Sequence, residues 1–145
     1  MVFGAFSVMA QDAAVPPELD KTFDRYSRAW THADWGRVYD LTSPAIQNIL
    51  LRDFKSRDGW IKHQSEDFKD TINELERKGV FRMSETVYTF AIITHGKRPK
   101  EAGGESFEVP GYASFQLFAG KWYLIDPVMP KQALPAKSAT MPARK

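Results

Sequence analysis

Three histidines, His32, His63 and His95, are the side chains best suited to metal binding or proton transfer near neutral pH. Their spacing fits neither H-x₃-H nor H-E-x-x-H, the patterns that place two zinc ligands on one helical face. We expect His32 to be exposed after the first helix and His95 to be exposed at the start of a polar loop. His63, beside Ile61, is placed where it can face a sheet. The sequence therefore predicts isolated histidines and no metal site.

Motifs for a nucleophile or a bound cofactor are absent from the sequence. The chain has no cysteine, which excludes disulfides, thiolate nucleophiles, iron–sulfur clusters and cysteine-based zinc sites. It contains neither G-x-S-x-G nor S-x-x-K. The pair Gly103-Gly104 lacks the frame of a phosphate-binding loop and does not open a helix. No cofactor is predicted.

Aromatic residues make up 13% of the chain and are its most suggestive feature. A small-molecule site is usually an apolar pocket with a few polar groups. The same rings would serve equally as the core of a small domain, and the sequence leaves both interpretations open. The predicted pocket residues are Tyr26, Trp30, Trp60, His63, Tyr88, Tyr112, Phe115 and Trp122.

The elements that must position these residues begin with helices. After Pro16-Pro17, apolar residues recur at helical spacing through Trp30, which predicts a first helix of about four turns. Asp34 is a predicted N-cap for a second helix that ends near Thr42, and Ser43-Pro44 repeats the start signal for a third.

The next segment also has helical periodicity. Four apolar residues keep one helical face from Ser56 to Lys78, and Gly79 suits the position just beyond a helix. As an alternative, Ser65 would cap a separate helix. These four apolar residues are Ile61, Phe68, Ile72 and Leu75.

The second half of the chain changes to the periodicity of strands. Val87 to Ile93 is a β-branched and aromatic run, and residues 95–105 form a polar connection. A second strand region, 106–118, is interrupted at Pro110-Gly111, because proline inside a strand indicates an edge or a bulge. Ala119-Gly120-Lys121 predicts a tight hairpin leading into a last strand, Trp122 to Ile125. Helices followed by an antiparallel meander predict an α+β fold, with the helices packed on one face of a curved sheet.

The charge of the chain is concentrated in its last residues. The net charge is +2, and the residues after Asp126 contribute four basic side chains and no acid. The rest of the chain is therefore close to neutral and lacks the clustered basic face of a nucleic-acid-binding domain. We expect residues 128–145, rich in proline and lysine, to be a disordered tail.

The first residues predict export. Residues 1–10, MVFGAFSVMA, are apolar, and Val8 and Ala10 occupy the −3 and −1 positions of a signal-peptidase site. We interpret residues 1–15 as a truncated signal peptide, residues 16–127 as one domain, and the location as periplasmic or secreted. No other segment approaches the roughly 20 apolar residues of a spanning helix, so stable membrane insertion is not expected.

These elements together resemble the NTF2-like superfamily. The resemblance rests on the amphipathic first helix, on Trp30, Asp34-Trp35, Tyr39 and Ser43-Pro44, and on the closing hairpin GKWYLID at 120–126. It covers about residues 18–127 and implies the cone fold of SnoaL-like and ketosteroid-isomerase-like members, with helices wrapped over a curved antiparallel sheet. Many relatives place a strand soon after the second helix, whereas residues 45–78 of this chain are predicted to be helical.

The resemblance implies more than one function, because the superfamily contains isomerases, dehydratases, transport factors and non-catalytic exported domains. An isomerase-like site would pair a donor such as Tyr26 with an acid or His63, but Asp40 and Asp126 are expected at a surface and in a turn. Our first hypothesis is a non-catalytic exported domain that binds a small apolar ligand or a partner. The alternatives are an isomerase or dehydratase and a structural homodimer formed through the open face of the sheet.

Overall fold

The computed structural model describes residues 14–125. Most of the predicted leader, Asp126 and the whole of the predicted tail lie outside this range, so the expectations for them remain predictions. Within it, the chain forms the helices α1 (Pro17–Thr31), α2 (Trp35–Leu41), α3 (Pro44–Phe54) and α4 (Arg57–Asp67). The strands β1 (Thr71–Arg82), β2 (Val87–Lys97), β3 (Ser106–Phe118) and β4 (Lys121–Leu124) follow, with a short 3₁₀ turn at Lys100–Ala102.

The predicted starts of the first three helices are confirmed. Pro17 opens α1, where its missing N–H costs no hydrogen bond. The Asp34 carboxylate accepts a hydrogen bond from the backbone N–H of Arg37 at 3.1 Å, and the Ser43 hydroxyl accepts one from Ile46 at 3.3 Å. Each cap satisfies a backbone donor that the first helical turn leaves without a partner.

The prediction of helix from Ser56 to Lys78 is wrong beyond Asp67. The helix α4 ends there, and β1 begins at Thr71. Ser65, the alternative cap, lies inside α4 and donates its hydroxyl proton to the carbonyl of Ile61 at 2.8 Å. The helix predicted across residues 45–78 is also divided at Lys55, which ends α3 with a φ of 74°.

Two irregularities of β1 explain this error. Its pairing with β2 shifts register between Ile72 and Glu74 and again between Arg77 and Gly79. Each shift adds an unpaired residue, so the buried residues Ile72 and Leu75 lie three positions apart instead of two. A bulged strand thereby acquires the spacing of a helical face. Gly79, predicted to follow a helix, is instead paired with Ala91 inside the sheet.

The sheet is antiparallel throughout, in the order β1-β2-β3-β4. β2 continues to Lys97, so His95 is a strand residue and the polar connection is shorter than predicted. The predicted break at Pro110-Gly111 does not occur, because both residues stay in register with β2. β4 pairs only with Phe115 to Phe118, so Pro110 lies on the part of β3 that has no second neighbour. Proline is tolerated there because no ladder partner needs its N–H.

The helices cover one face of the sheet. Alternate β2 residues from Tyr88 to Thr94 are buried, whereas Val87, Ala91 and Ile93 point to the other face and are partly exposed. The α+β class predicted from the sequence is confirmed, and the four helices on a curved antiparallel sheet agree with the NTF2-like cone.

The β3–β4 hairpin is also as predicted. Its loop consists of Ala119 and Gly120, whose φ angles are 52° and 81°. Two consecutive positive φ values are those of a type I′ turn, whose twist matches the twist of the flanking strands.

Candidate functional site

The space between α1 and the sheet is occupied by aromatic side chains. Phe23 of α1 lies 4.6 Å, centroid to centroid, from Phe90 of β2. Phe115 of β3 makes edge-to-face contacts with Tyr26 at 5.5 Å and with Phe90 at 5.7 Å. None of these four rings is more than 3% exposed. Two of the predicted pocket residues, Tyr26 and Phe115, therefore contact each other inside the core.

Two predicted pocket tryptophans lie in other parts of the core. Trp30 forms a triangle of edge-on contacts with Trp35 and Phe68 at 4.8 and 5.4 Å. Trp60 packs beside Tyr39 at 5.8 Å. Both tryptophans are 2% exposed, so a ligand would reach them only if the core opened.

The remaining predicted pocket residues are dispersed over the surface and one end of the sheet. Tyr112 is 61% exposed on the face of the sheet away from the helices. His63 is half-exposed on α4, where its ring packs against Phe54 at 4.8 Å. Trp122 is partly exposed and touches Tyr88 edge-on at 5.7 Å. The structure thus does not gather the eight predicted side chains into one pocket.

An open cleft of about 290 Å³ lies beside this core, between α1, the end of α2 and the β3–β4 hairpin. Its volume is near the lower end of the range for small-molecule sites, roughly 300–1,000 Å³. Trp122 is the one predicted pocket residue that lines it. The lining residues are Glu18, Thr22, Arg25, Asp40, Leu41, Gly120, Lys121, Trp122 and Tyr123.

Local structure explains how these residues converge. Glu18, Thr22 and Arg25 are spaced by four and three residues, which places them on one stripe of α1. The tight hairpin turn brings Lys121 and Trp122 back towards the helices. A backbone hydrogen bond from Ser43 to the carbonyl of Leu124, at 2.9 Å, fixes the end of α2 against β4.

Two of the charged groups in the cleft are already paired. Asp40 accepts two hydrogen bonds from Arg57, each of 3.0 Å, in a fork-like arrangement. These hydrogen bonds raise the pKa of Arg57 above its usual range. Glu18 accepts a longer hydrogen bond from Lys21 at 3.4 Å. Both acids of the cleft therefore have a cation of their own.

A second polar cluster lies on the face of the sheet away from the helices. The Nε2 atom of His95 is 2.8 Å from the Glu76 carboxylate, and its Nδ1 atom is 3.4 Å from Glu108. The hydrogen bond to Glu76 raises the pKa of His95, and Glu108 and Glu74 add to the effect. The same bond lowers the pKa of Glu76. His95, expected to be exposed in a loop, is thus an ion-paired strand residue with about a quarter of its side chain exposed.

Two negative findings apply to residues 14–125. They contain no group of three or more histidine, aspartate or glutamate side chains placed to hold a metal ion. They also contain no helix long and apolar enough to cross a membrane.

Comparisons with known proteins give only distant structural likeness. No protein-family model matches the chain, and no curated protein matches it significantly. Among solved structures, it is similar to a SEC-C motif containing protein from Rhodopseudomonas palustris, with 20% identity, 68% of each chain covered and a TM-score of 0.49. It is also similar to a polyketide-cyclase-like protein from Xanthomonas campestris, with 13% identity, 82% of this chain and 96% of that chain covered and a TM-score of 0.48.

A third similar structure is described as an NTF2-like protein involved in plasmid conjugation. The identity is 11%, 86% of this chain is covered and the TM-score is 0.46. The match spans 43% of that protein, less than half of its length. At these sequence identities and TM-scores, the similar structures support no inference about a ligand or a reaction of this chain. The fold class therefore rests on the element order and sheet topology of this chain.

Sequence reasoning missed most of the cleft. The stripe Glu18, Thr22 and Arg25 is visible in the sequence as the i, i+4, i+7 face of a predicted helix. The sequence predicts Asp40 only as a surface acid, and it is exposed. Nothing in the sequence places Trp122 beside that stripe, because its position depends on how the hairpin folds back onto α1.

Proposed function

We propose that this protein is a non-catalytic binding domain that takes a small molecule in the cleft between α1 and the β3–β4 hairpin. The proposal rests on one observation: the interior of the domain is filled by side chains, whereas the cleft beside it is open. Aromatic rings occupy the interface of α1 with the sheet, whereas the cleft is open and combines the aromatic Trp122 with charged groups. An exported location is part of the proposal, on the sequence pattern of residues 1–10 alone.

The chemistry of the cleft favours binding over turnover. Its acids Glu18 and Asp40 are held by Lys21 and Arg57, and both lie at the surface. A general base of the isomerase kind needs a carboxylate in an apolar environment that shifts its pKa towards neutrality. The tyrosine considered for such a site, Tyr26, is 2% exposed and packed against Phe115. We therefore assign the cleft a recognition role.

The tryptophans provide a direct test. The chain has four, and Trp30, Trp35 and Trp60 are at most 5% exposed, whereas Trp122 lines the cleft. In a ¹⁵N-labelled sample, each indole N–H gives its own signal, and Trp122→Phe identifies the signal from the cleft. We expect a fragment library to contain compounds that shift the Trp122 indole signal and leave the other three in place.

Native mass spectrometry of protein purified without denaturation complements this screen, because a retained compound would appear as added mass. Fragments that shift only the Trp30 or Trp35 signals would place the site in the core and contradict the proposal. A screen in which no compound moves the Trp122 signal would also refute it.

A second candidate role is a homodimer formed through the open face of the sheet. This face carries a run of partly or largely exposed apolar side chains, with Tyr112 61% and Phe118 59% exposed. Exposed apolar patches of this kind commonly mark protein interfaces. The apolar side chains of this face are those of Val87, Ala91, Ile93, Tyr112, Phe118 and Tyr123, and the cluster of His95, Glu76 and Glu108 lies on the same face.

Analytical ultracentrifugation tests the dimer. Tyr112→Glu should raise the dimer dissociation constant at least tenfold, because a desolvated charge at the centre of an interface costs several kcal/mol. Leu51→Glu, at a 39% exposed position on α3, is the matched control and should leave the constant unchanged. A native protein that stays monomeric at about 100 μM, a concentration well above the dissociation constants of stable dimers, would exclude this role.

A further inference from the structure

The open face of the sheet carries charges of opposite sign at its two ends. At one end, Glu74 and Glu108 are the two cross-strand neighbours of His95. The Glu76 carboxylate lies 2.8 Å from the same histidine. At the other end lies Lys121, the first residue of β4. The face is therefore acidic at one end and basic at the other.

The acidic end keeps a negative charge after the lysines near it are counted. Lys78 lies 3.4 Å from the Glu76 carboxylate, and Lys97 is the last residue of β2. The three acids and these two lysines sum to one negative charge while His95 is neutral.

Glu108 and Lys121 are both available to a partner. The Glu108 side chain is 72% exposed, and its one ion-pair contact with a residue of the range 14–125 is the 3.4 Å contact with His95. Lys121 is exposed and has no ion pair within that range. Each of the two can therefore form a new ion pair without breaking a strong one.

Strand pairing places Glu108 and Lys121 on the same face. Lys121 pairs with Phe118, and two residues paired across antiparallel strands point to the same side of the sheet. Phe118, Tyr112 and Glu108 are separated by even numbers of residues along β3, whose pairing with β2 has no register shift. All four side chains therefore lie on the face away from the helices.

The apolar part of this face lies between the two charges. Glu108 and Phe118 are ten residues apart on β3, which corresponds to roughly 33 Å along the strand. Tyr112, 61% exposed and paired with Ala91, lies near the middle of this distance. An apolar centre with charges at its margin is the usual composition of a protein interface.

The charges distinguish two ways of stacking a second copy on this face. A twofold axis along the strands would place the Glu108 side chains of the two copies at the same end, where like charges repel. A twofold axis across the strands, passing near Tyr112, reverses the strand direction and places Glu108 of each copy over the Lys121 end of the other. β3 and β4 are neighbouring strands, so the two residues would be offset by about 4.8 Å sideways, within the reach of their side chains.

We propose that this face binds a second copy of the chain with the twofold axis across the strands, so that Lys121 of each copy faces Glu108 of the other. This inference rests on the homodimer proposed above as a second role, and it adds the orientation of the two copies. Because the interface is isologous, the contact is made twice. The apolar centre supplies most of the affinity, whereas the two charge pairs select the orientation.

Charge reversal tests the contact. Lys121→Glu and Glu108→Lys should each raise the dimer dissociation constant about tenfold or more in analytical ultracentrifugation, because each change turns two attractive contacts into two repulsive ones. The double variant has both contacts again, with the charges exchanged, and should return the constant to within about threefold of the native value. Lys62→Glu and Glu66→Lys, at exposed positions on α4, are matched controls with the same changes of net charge and should leave the constant unchanged.

A mixture of the two single variants shows whether the contact forms between chains. Lys121→Glu and Glu108→Lys, mixed in equal amounts, should form a heterodimer with a dissociation constant near the native value. The heterodimer contains one native pair and one pair with exchanged charges, so both of its contacts are attractive. With one variant labelled with ¹⁵N, native mass spectrometry distinguishes the heterodimer from both homodimers.

The outcomes separate this inference from the dimer on which it rests. A native protein that is monomeric at about 100 μM excludes the dimer and the inference with it. If the native protein dimerises but the single variants dimerise equally well, or neither the double variant nor the mixture restores the native constant, the dimer stands and this orientation is wrong. If Glu108→Lys pairs more tightly with the native chain than with itself, the acidic ends face each other, which also overturns the inference.

Discussion

Replacing Phe115 by alanine tests whether the interior of this domain is packed core or ligand pocket. Phe115 is 0% exposed and contacts the rings of Tyr26, Phe90 and Phe23 at 5.5, 5.7 and 6.4 Å. Burial of a phenylalanine side chain contributes about 1.5–3 kcal/mol, and each aromatic pair adds roughly 0.5–1.5 kcal/mol beyond its buried area. Because the neighbouring rings cannot collapse fully into the space, we expect Phe115→Ala to lower the free energy of unfolding by about 4 kcal/mol.

The assay is urea unfolding followed by tryptophan fluorescence, with the slope m compared between variants. Phe118→Ala is the control, on the same strand but 59% exposed, and it should change the free energy of unfolding by no more than about 0.5 kcal/mol. If Phe115→Ala remains folded, the new apolar cavity should also bind a benzene-sized molecule that the native protein does not. The reasoning would be refuted if the two variants lost equal free energy of unfolding, or if Phe115→Ala lost less than about 1.5 kcal/mol. Either result would mean that the rings around Phe115 are not tightly packed.

Three further predictions concern the sheet. Because Glu76 raises the pKa of His95 through a 2.8 Å hydrogen bond, Glu76→Gln should lower that pKa in an NMR titration. Gly96→Ala should destabilise the protein in thermal unfolding, since its Cβ would lie 2.4 Å from the carbonyl oxygen of Thr71. Ala119→Asn should stabilise it by up to about 1 kcal/mol, because Ala119 has a φ of 52° and asparagine tolerates that region better.

The His95 prediction also gives the sign of a pH dependence. A histidine whose pKa is raised on folding stabilises the folded state fully below its unfolded pKa, and this contribution disappears as the pH rises through the folded value. The lowered pKa of Glu76 acts in the opposite sense, and its contribution disappears as the pH falls through the folded value. The pair therefore stabilises the folded state most at pH values between the titration of Glu76 and the titration of His95. In Glu76→Gln, the free energy of unfolding should depend less on pH at both ends of this range. Glu66→Gln, at an exposed position on α4, is the control for loss of one negative charge.

Each of the three predictions, for Glu76→Gln, Gly96→Ala and Ala119→Asn, has a result that would contradict it. A His95 pKa that does not move in Glu76→Gln would mean that the pair does not form in solution. An unchanged melting temperature for Gly96→Ala would show that the strands separate there easily. A loss of stability in Ala119→Asn would exclude the I′ turn.

The sequence by itself determined the fold class and most of the element starts. Caps such as Asp34 and Ser43 act on backbone groups within three residues, so their chemistry is local and legible in the sequence. The hairpin at Ala119-Gly120 is local in the same sense. The alternation of Val87 to Ile93 predicted a strand, and its buried and exposed positions do alternate.

Tertiary structure decided where local periodicity was misleading. Ile72 and Leu75 have helical spacing only because a bulge separates them, and the bulge exists in the pairing of β1 with β2. His95 is held between Glu76 and Glu108, which come from the two neighbouring strands. Such partners are far apart in the chain, and their register is fixed by the sheet as a whole.

The candidate site was decided almost entirely by tertiary structure. The sequence supplied the aromatic residues but not which of them would fill the core and which would remain at an opening. Phe115 and Trp122 both follow from the same hydrophobic pattern, yet one is fully buried and the other lines a cleft. The difference is one of position, because Phe115 lies under α1 in contact with Tyr26 and Phe23, whereas Trp122 lies near the start of the edge strand β4, beside the cleft.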